Sequence, residues 1–234
     1  MSRDLLLVIG IFGGLGLGVL ALWRLFTGPL TTLGVKAMPD AAKAWGYKTA
    51  WLAMRSSSSQ DVARALVTCG LAKGNPAPCN WDSGWKRAMR AGRWMFVTPP
   101  LQEHVFVVEC WVADADMAGK LAKLSATLGT TVYAFLSHRG VTAAGWVVAE
   151  AGAVRRAWVV TDGEVVLQQG EPTAEEKALK LDFAAEPEDE DSEEAWAAVR
   201  SESTVVELAR RWTVDPTKLE GKGGPTAGFL VRRG

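Results

Sequence analysis

The 234-residue chain contains only two histidines, His104 and His138, so histidine-based acid–base or metal chemistry must use one of them. His138-Arg139 falls where a predicted strand meets its turn. A catalytic imidazole there needs a nucleophile and an orienting acid. Cys110, Asp114 and Asp116 supply those types, but no recognised motif joins them. An enzyme reading therefore rests on His138 alone. Asp114-Ala-Asp116 with His104 could hold a metal, although aspartates ahead of a predicted helix act more simply as its cap. The chain has no Gly-x-Ser-x-Gly, no P-loop and no dinucleotide fingerprint. Gly70-Leu-Ala-Lys-Gly and Gly221-Lys-Gly-Gly are too short and wrongly placed to cradle phosphates. No catalytic, cofactor-binding or metal site is expected from these residues, and no cofactor.

Three cysteines, Cys69, Cys79 and Cys110, leave at least one unpaired and lack zinc spacing. Cys69 and Cys79 bracket a turn-rich stretch, Gly70 to Pro78. A disulfide closing that loop and two unrelated thiols are equally compatible with the spacing. Net charge is zero, but residues 1–170 carry a surplus of bases and residues 171–234 a surplus of acids. A basic body and an acidic tail follow, each able to meet its own partner. No net positive field points to nucleic acid. Eleven tryptophans against two tyrosines mark core and interface positions.

The elements that would hold such residues begin with Leu5–Trp23. Nineteen residues without a charge are long enough to cross the hydrocarbon core as a helix. Trp23 and Arg24 end it at headgroup depth. The bulky residues after it do not resemble a signal-peptidase site, so a retained anchor is expected over residues 1–27. Gly10, Gly14 and Gly18 line one face at four-residue intervals. Such a stripe lets membrane helices approach closely, either another membrane protein or a second copy. The flanking charges are nearly tied. The very short N-terminal tail and the possible Cys69–Cys79 bridge favour an extracytoplasmic domain.

Residues 28–46 read as a linker. An α+β domain with an antiparallel sheet and helices packed on it follows over residues 47–171. Thr49–Arg55, Trp94–Thr98 and His104–Val112 read as strands. Thr131–Ser137, Ala144–Ala149, Val154–Thr161 and Glu164–Gln168 follow with short turns, which implies a meander. Asp162-Gly163 is a hairpin signal. Helices are expected over Gln60–Thr68, Trp81–Ala91 and Asp116–Leu128. In the second of these, Trp81, Trp85 and Met89 form one stripe, with Lys86, Arg87, Arg90 and Arg93 opposite. A basic helix with an aromatic stripe can lie on a membrane or grip phosphates. A stripe of that kind is more often core.

Residues 172–234 read as an acidic, helical extension packed on the domain. Pro172-Thr-Ala-Glu-Glu-Lys starts a short helix. Seven acids in the nine residues Glu186–Glu194 make a solvated loop without calcium-loop order. Short helices follow at 193–200 and Thr204–Trp212, the latter opened by a Thr204-x-x-Glu207 capping box. Phe229-Leu-Val-Arg is a final strand or an ordered tail. Ser203–Glu220 resembles half of a LysM module or of a helix-turn-helix unit, without the flanking elements of either.

A set of blocks carries a wider resemblance. They are Lys48-Thr-Ala-Trp-Leu-Ala, Phe96-Val-Thr-Pro-Pro100, Leu124-Ser, Phe135-x-x-His138-Arg139, Gly170-Glu-Pro-Thr-Ala-Glu-Glu176 and Trp212-Thr-Val-Asp-Pro-Thr. Together they resemble a family of bacterial proteins without an assigned activity. The resemblance implies one continuous domain including the tail and supplies no catalytic residues. These readings together make the chain a membrane-tethered, non-enzymatic interaction module, an accessory or assembly subunit in a bacterial cell membrane. An immunity or inhibitor protein acting through its acidic tail, and an enzyme using His138, are the alternatives.

Overall fold

The computed structural model describes residues 41–112, 114–138, 140, 143–162, 164–181, 183, 202–221 and 227–234. The predicted anchor, with Gly10, Gly14, Gly18, Trp23 and Arg24, lies outside them, as do the acidic run 186–194 and the helix expected at 193–200. Among the described residues no helix is long and apolar enough to cross a membrane. Residues 39–234 form a compact unit of their own.

The domain is α+β, with nine strands among the described residues in a single antiparallel sheet. They are β1 (Thr49–Arg55), β2 (Ala72–Cys79), β3 (Trp94–Val97), β4 (His104–Val108), β5 (Val132–His138), β6 (Ala143–Glu150), β7 (Ala153–Thr161), β8 (Glu164–Gln169) and β9 (Gly228–Arg233). Their spatial order is β2-β9-β3-β4-β1-β5-β6-β7-β8. The helices are α1 (Ser59–Thr68), α2 (Trp81–Ala91), α3 (Ala115–Leu128), α4 (Ala174–Ala178) and α5 (Glu202–Trp212).

Central β1 explains why the sheet is covered twice. Thr49 to Met54 are all buried, so both faces of the strand meet core. Alternation sorts the two faces by shape. Leu52, Met54, Val105, Val107, Ala134 and Val147 form an aliphatic face against α1 and α3, through Val62, Leu66, Leu121 and Leu124. Trp51, Phe96, Phe106, Phe135, Trp146 and Trp158 form an aromatic face against α2 and α5, through Trp81, Ala88, Val205 and Leu208. One row crosses every strand: Ala77, Leu230, Phe96, Val108, Trp51, Phe135, Trp146, Trp158 and Gln168. Within it Trp51 stacks on Phe135 at 5.2 Å and Trp146 meets Trp158 at 4.8 Å.

Several expectations are corrected. Gly70–Pro78 was expected to be a loop, yet Ala72–Cys79 forms edge strand β2. It pairs only with β9, so Pro76 and Pro78 need no second ladder partner. Cys69 and Cys79 are not bridged; the Cys69 thiol instead meets the Thr127 hydroxyl at 3.5 Å. Residues 41–46, expected in the linker, enter the core through Ala42 and Trp45. Strand β4 ends at Val108, because Glu109 takes a left-handed φ of 65°. Helix α5 starts at Glu202, two residues before the expected capping box. Glu207 pairs with Arg210 and Arg211. Of the two readings of Phe229-Leu-Val-Arg, the final strand holds: it is β9, which sits between β2 and β3, so the last residues join the sheet itself rather than only packing on it.

Candidate functional site

A concentration of basic charge lies on and just after α2. Asn80 caps the helix by accepting from the Ser83 N–H at 2.9 Å, and Gly92, with a φ of 57°, ends it. Trp81, Gly84 and Ala88 are buried against the sheet and Trp85 is half-buried. The Trp81 ring meets Phe96 edge-on at 5.2 Å, and Trp45 contacts both Trp81 and Trp85. The aromatic stripe is therefore core, as such stripes usually are. Met89 departs from it and is 42 % exposed.

The outer face carries Lys86, Arg87, Arg90 and, just beyond the helix, Arg93. With Ser83 and Trp94 they line an open groove of about 420 Å³. Lys86 pairs with Asp82 at 2.7 Å, and Asp82 also holds Lys43 at 3.1 Å. Both lysines, Lys86 first, hold the Asp82 carboxyl below its usual range. Arg87 lies 5.1 Å over the Trp94 ring, a cation–π contact that fixes the guanidinium as part of the floor. Among the described residues Arg87, Arg90 and Arg93 have no carboxylate partner.

The two edges of the sheet differ. β2 is blunted by two prolines, Gly74 with positive φ, and a register irregularity between Lys73 and Ala77. β8 has no proline, carries a register irregularity of its own at Val166 opposite Val159 and Val160, and has five of its six residues exposed. Val165 and Val166 are 50 % and 45 % exposed, the most exposed of the large aliphatic side chains among the described residues. Among the described residues no strand covers its outer edge.

The predicted chemical residues separate. His104 is buried, with its Nδ1 3.0 Å from the Gln102 carbonyl. Asp114 caps α3 through the Met117 N–H at 2.8 Å, and Asp116 pairs with Lys120. Among the described residues no group of His, Cys, Asp and Glu is placed to hold a metal.

His138, at the end of β5, lies 5.4 Å from the Trp111 ring, with its Nδ1 buried and unpartnered among the described residues. The Trp111 indole donates to the Glu109 carboxylate at 3.1 Å, and an Arg233 guanidinium N–H donates to the Glu109 carbonyl. Neighbouring Cys110 is buried, and burial pushes its thiol up to about 12. A thiol so protonated is a poor nucleophile. Glu109, which the sequence did not single out, is thus the acid near His138.

Burial also raises the Glu109 carboxyl above its usual range, against smaller opposing effects of Trp111, Arg233 and His138. A raised carboxyl favours folding below its unfolded value and loses that contribution as pH climbs through the folded one. Glu109→Gln is accordingly expected to raise the melting temperature at pH 7. The gain should shrink toward pH 4, and a pH series of thermal melts checks it.

The fold and its surface features define a class: a double-covered antiparallel α+β domain with a basic groove near one edge and an open strand at the other. No protein-family model matches the chain, and no curated protein or solved structure is significantly similar to it.

Proposed function

We propose that the protein is a membrane-tethered, non-enzymatic interaction module, an accessory or assembly subunit of a bacterial membrane complex. Leu5–Trp23 is its single-pass anchor in the lipid bilayer of the cell membrane. Gly10, Gly14 and Gly18 provide a face for a second membrane helix, from another membrane protein or another copy. In this reading the domain lies on the extracytoplasmic side, and the unbridged Cys69 and Cys79 lend it no support. No nucleic acid is involved in this reading.

The observation that carries the reading is the open β8 edge. A strand with Val165 and Val166 exposed is a ready template for another chain, and proteins normally blunt such edges. The partner offers an extended segment that completes the ladder, with apolar side chains beside Val165 and Val166. The buried polar groups fit this reading because they serve structure: Arg156 with Glu176, and His104 with Gln102.

Detergent extraction of the full chain followed by co-purification tests the proposal. A specific membrane protein should accompany the wild type and fall at least tenfold with Val166→Lys, which puts a charge on the edge. Val166 is 45 % exposed, so that variant keeps its fold. A lone monomer, or equal recovery with both chains, contradicts the reading.

A further inference from the structure

The basic groove extends beyond α2. In the sheet beneath it, Trp94 stands directly opposite Arg232 on β9, and Arg232 stands opposite Lys73 on β2. Cross-strand partners share a face, and Phe96, two residues along from Trp94, faces the α2 side. Arg232 and Lys73 therefore continue the surface on which Arg87 rests against Trp94. Lys73 and Arg232 are both exposed. Like charges directly opposite each other in a sheet destabilise it. Among the described residues no carboxylate pairs with either. Four cations, Lys86, Arg87, Arg90 and Arg93, thus line one open depression, and Arg232 and Lys73 continue the same sheet face beyond Trp94; among the described residues Asp82 is the acid paired there. This arrangement costs stability when empty and gains it with an anion.

The chemistry of the site selects the anion. Several guanidinium forks, an ammonium and the Ser83 hydroxyl suit phosphate oxygens, which accept paired N–H donors. Trp94 adds the kind of amphipathic ring favoured at headgroup depth. The groove is shallow and open, which suits a layer of headgroups better than an enclosed small molecule. We propose that it binds the phosphodiester headgroups of an anionic phospholipid bilayer, and so holds the domain against the membrane. The β8 edge lies six strand spacings away, roughly 30 Å, and stays available to a partner. The phosphate contact stands on the groove alone; its lipid source rests on the tether reading.

Flotation of residues 39–234 with vesicles tests it, since this compact unit holds the whole described core. The unit carries two more acids than bases, so net charge alone drives it away from an anionic surface. The expected result is co-flotation with phosphatidylcholine vesicles containing phosphatidylglycerol and none with phosphatidylcholine alone. At about 1 kcal/mol per basic residue near the surface, each cation neutralised should cost roughly fivefold. Arg90→Gln with Arg93→Gln should then weaken binding by about 25-fold, and Arg232→Gln by about fivefold. The control pair Lys120→Gln with Lys123→Gln, on α3 over the opposite face, should leave binding unchanged, and melting temperatures verify that each chain folds. Binding that ignores phosphatidylglycerol, survives the groove substitutions, or falls equally with the control pair overturns the proposal. So does displacement by millimolar inorganic phosphate at constant ionic strength, which would make free phosphate the ligand. The full chain recovered in membranes while these vesicles fail to bind would sink the groove and spare the tether.

Discussion

Glu176→Ala is expected to destabilise the domain by about 3–5 kcal/mol, the cost of leaving a buried charge without its partner. Glu176 is fully buried and Arg156 is 1 % exposed. One carboxylate oxygen accepts from the Arg156 Nε at 2.8 Å and from the Trp146 indole at 2.7 Å. The other accepts from the Thr173 N–H at 2.6 Å, completing a capping box on α4. Arg156 also donates to the Gly170 carbonyl at 2.9 Å and lies 4.5 Å over the Phe183 ring. Truncating Glu176 removes acceptors from three donors at once, and the guanidinium stays where water does not reach. The melting temperature should fall by on the order of 10 °C for a domain of this size. Replacing both charges, Arg156→Met with Glu176→Leu, should recover most of the loss, because an apolar pair of similar volume avoids the desolvation cost. Urea melts of residues 39–234 followed by circular dichroism compare the two. A double variant as unstable as the single one would show that geometry, not the unpaired charge, sets the penalty.

The second large effect concerns the seat of the basic helix. A Cβ on Gly84 would lie 2.3 Å from the Phe96 ring, far inside contact distance. That ring is fully buried, is met edge-on by Trp81, and has no room on its other side, where a Cβ on Gly228 would come within 2.6 Å. Gly84→Ala gains about 1 kcal/mol of helix propensity. Overpacking a core that cannot give costs about 1–3 kcal/mol or more, and it should win. Gly119→Ala is the matched control. Nothing lies within 4 Å of its Cβ in the middle of α3, so only the propensity gain applies and the domain should become more stable. Opposite signs for the same substitution in two helices are expected from paired thermal melts.

Most elements were legible because local signals agreed with the fold. The Trp81–Ala91 helix matches its pattern end to end, since Asn80 caps it and Gly92 stops it. The meander from β5 to β8 followed from short turns between alternating runs. What escaped depended on distant pairing. Nothing local in Ala72–Cys79 announces a strand, because its ladder partner is β9, some 150 residues away. The insertion of β9 between β2 and β3 is equally invisible along the chain.

The site divided in the same way. The cations of α2 were visible, and so was the core role of Trp81. Arg232 and Lys73 joined them only through register. Glu109 gave no signal, because its burial and left-handed backbone arise where β4 meets Arg233 from the far end of the chain. His138 stood out by rarity rather than by surroundings.

Photo-crosslinking from position 166 of the full chain in intact cells tests the central claim most directly. With the crosslinker at Val166, the expected result is a discrete adduct in the alkali-resistant membrane fraction. The same crosslinker at Lys73, on the blunted edge, should give none of that adduct. A chain recovered in the soluble fraction, or equal labelling from both positions, would contradict a tethered module that pairs through β8.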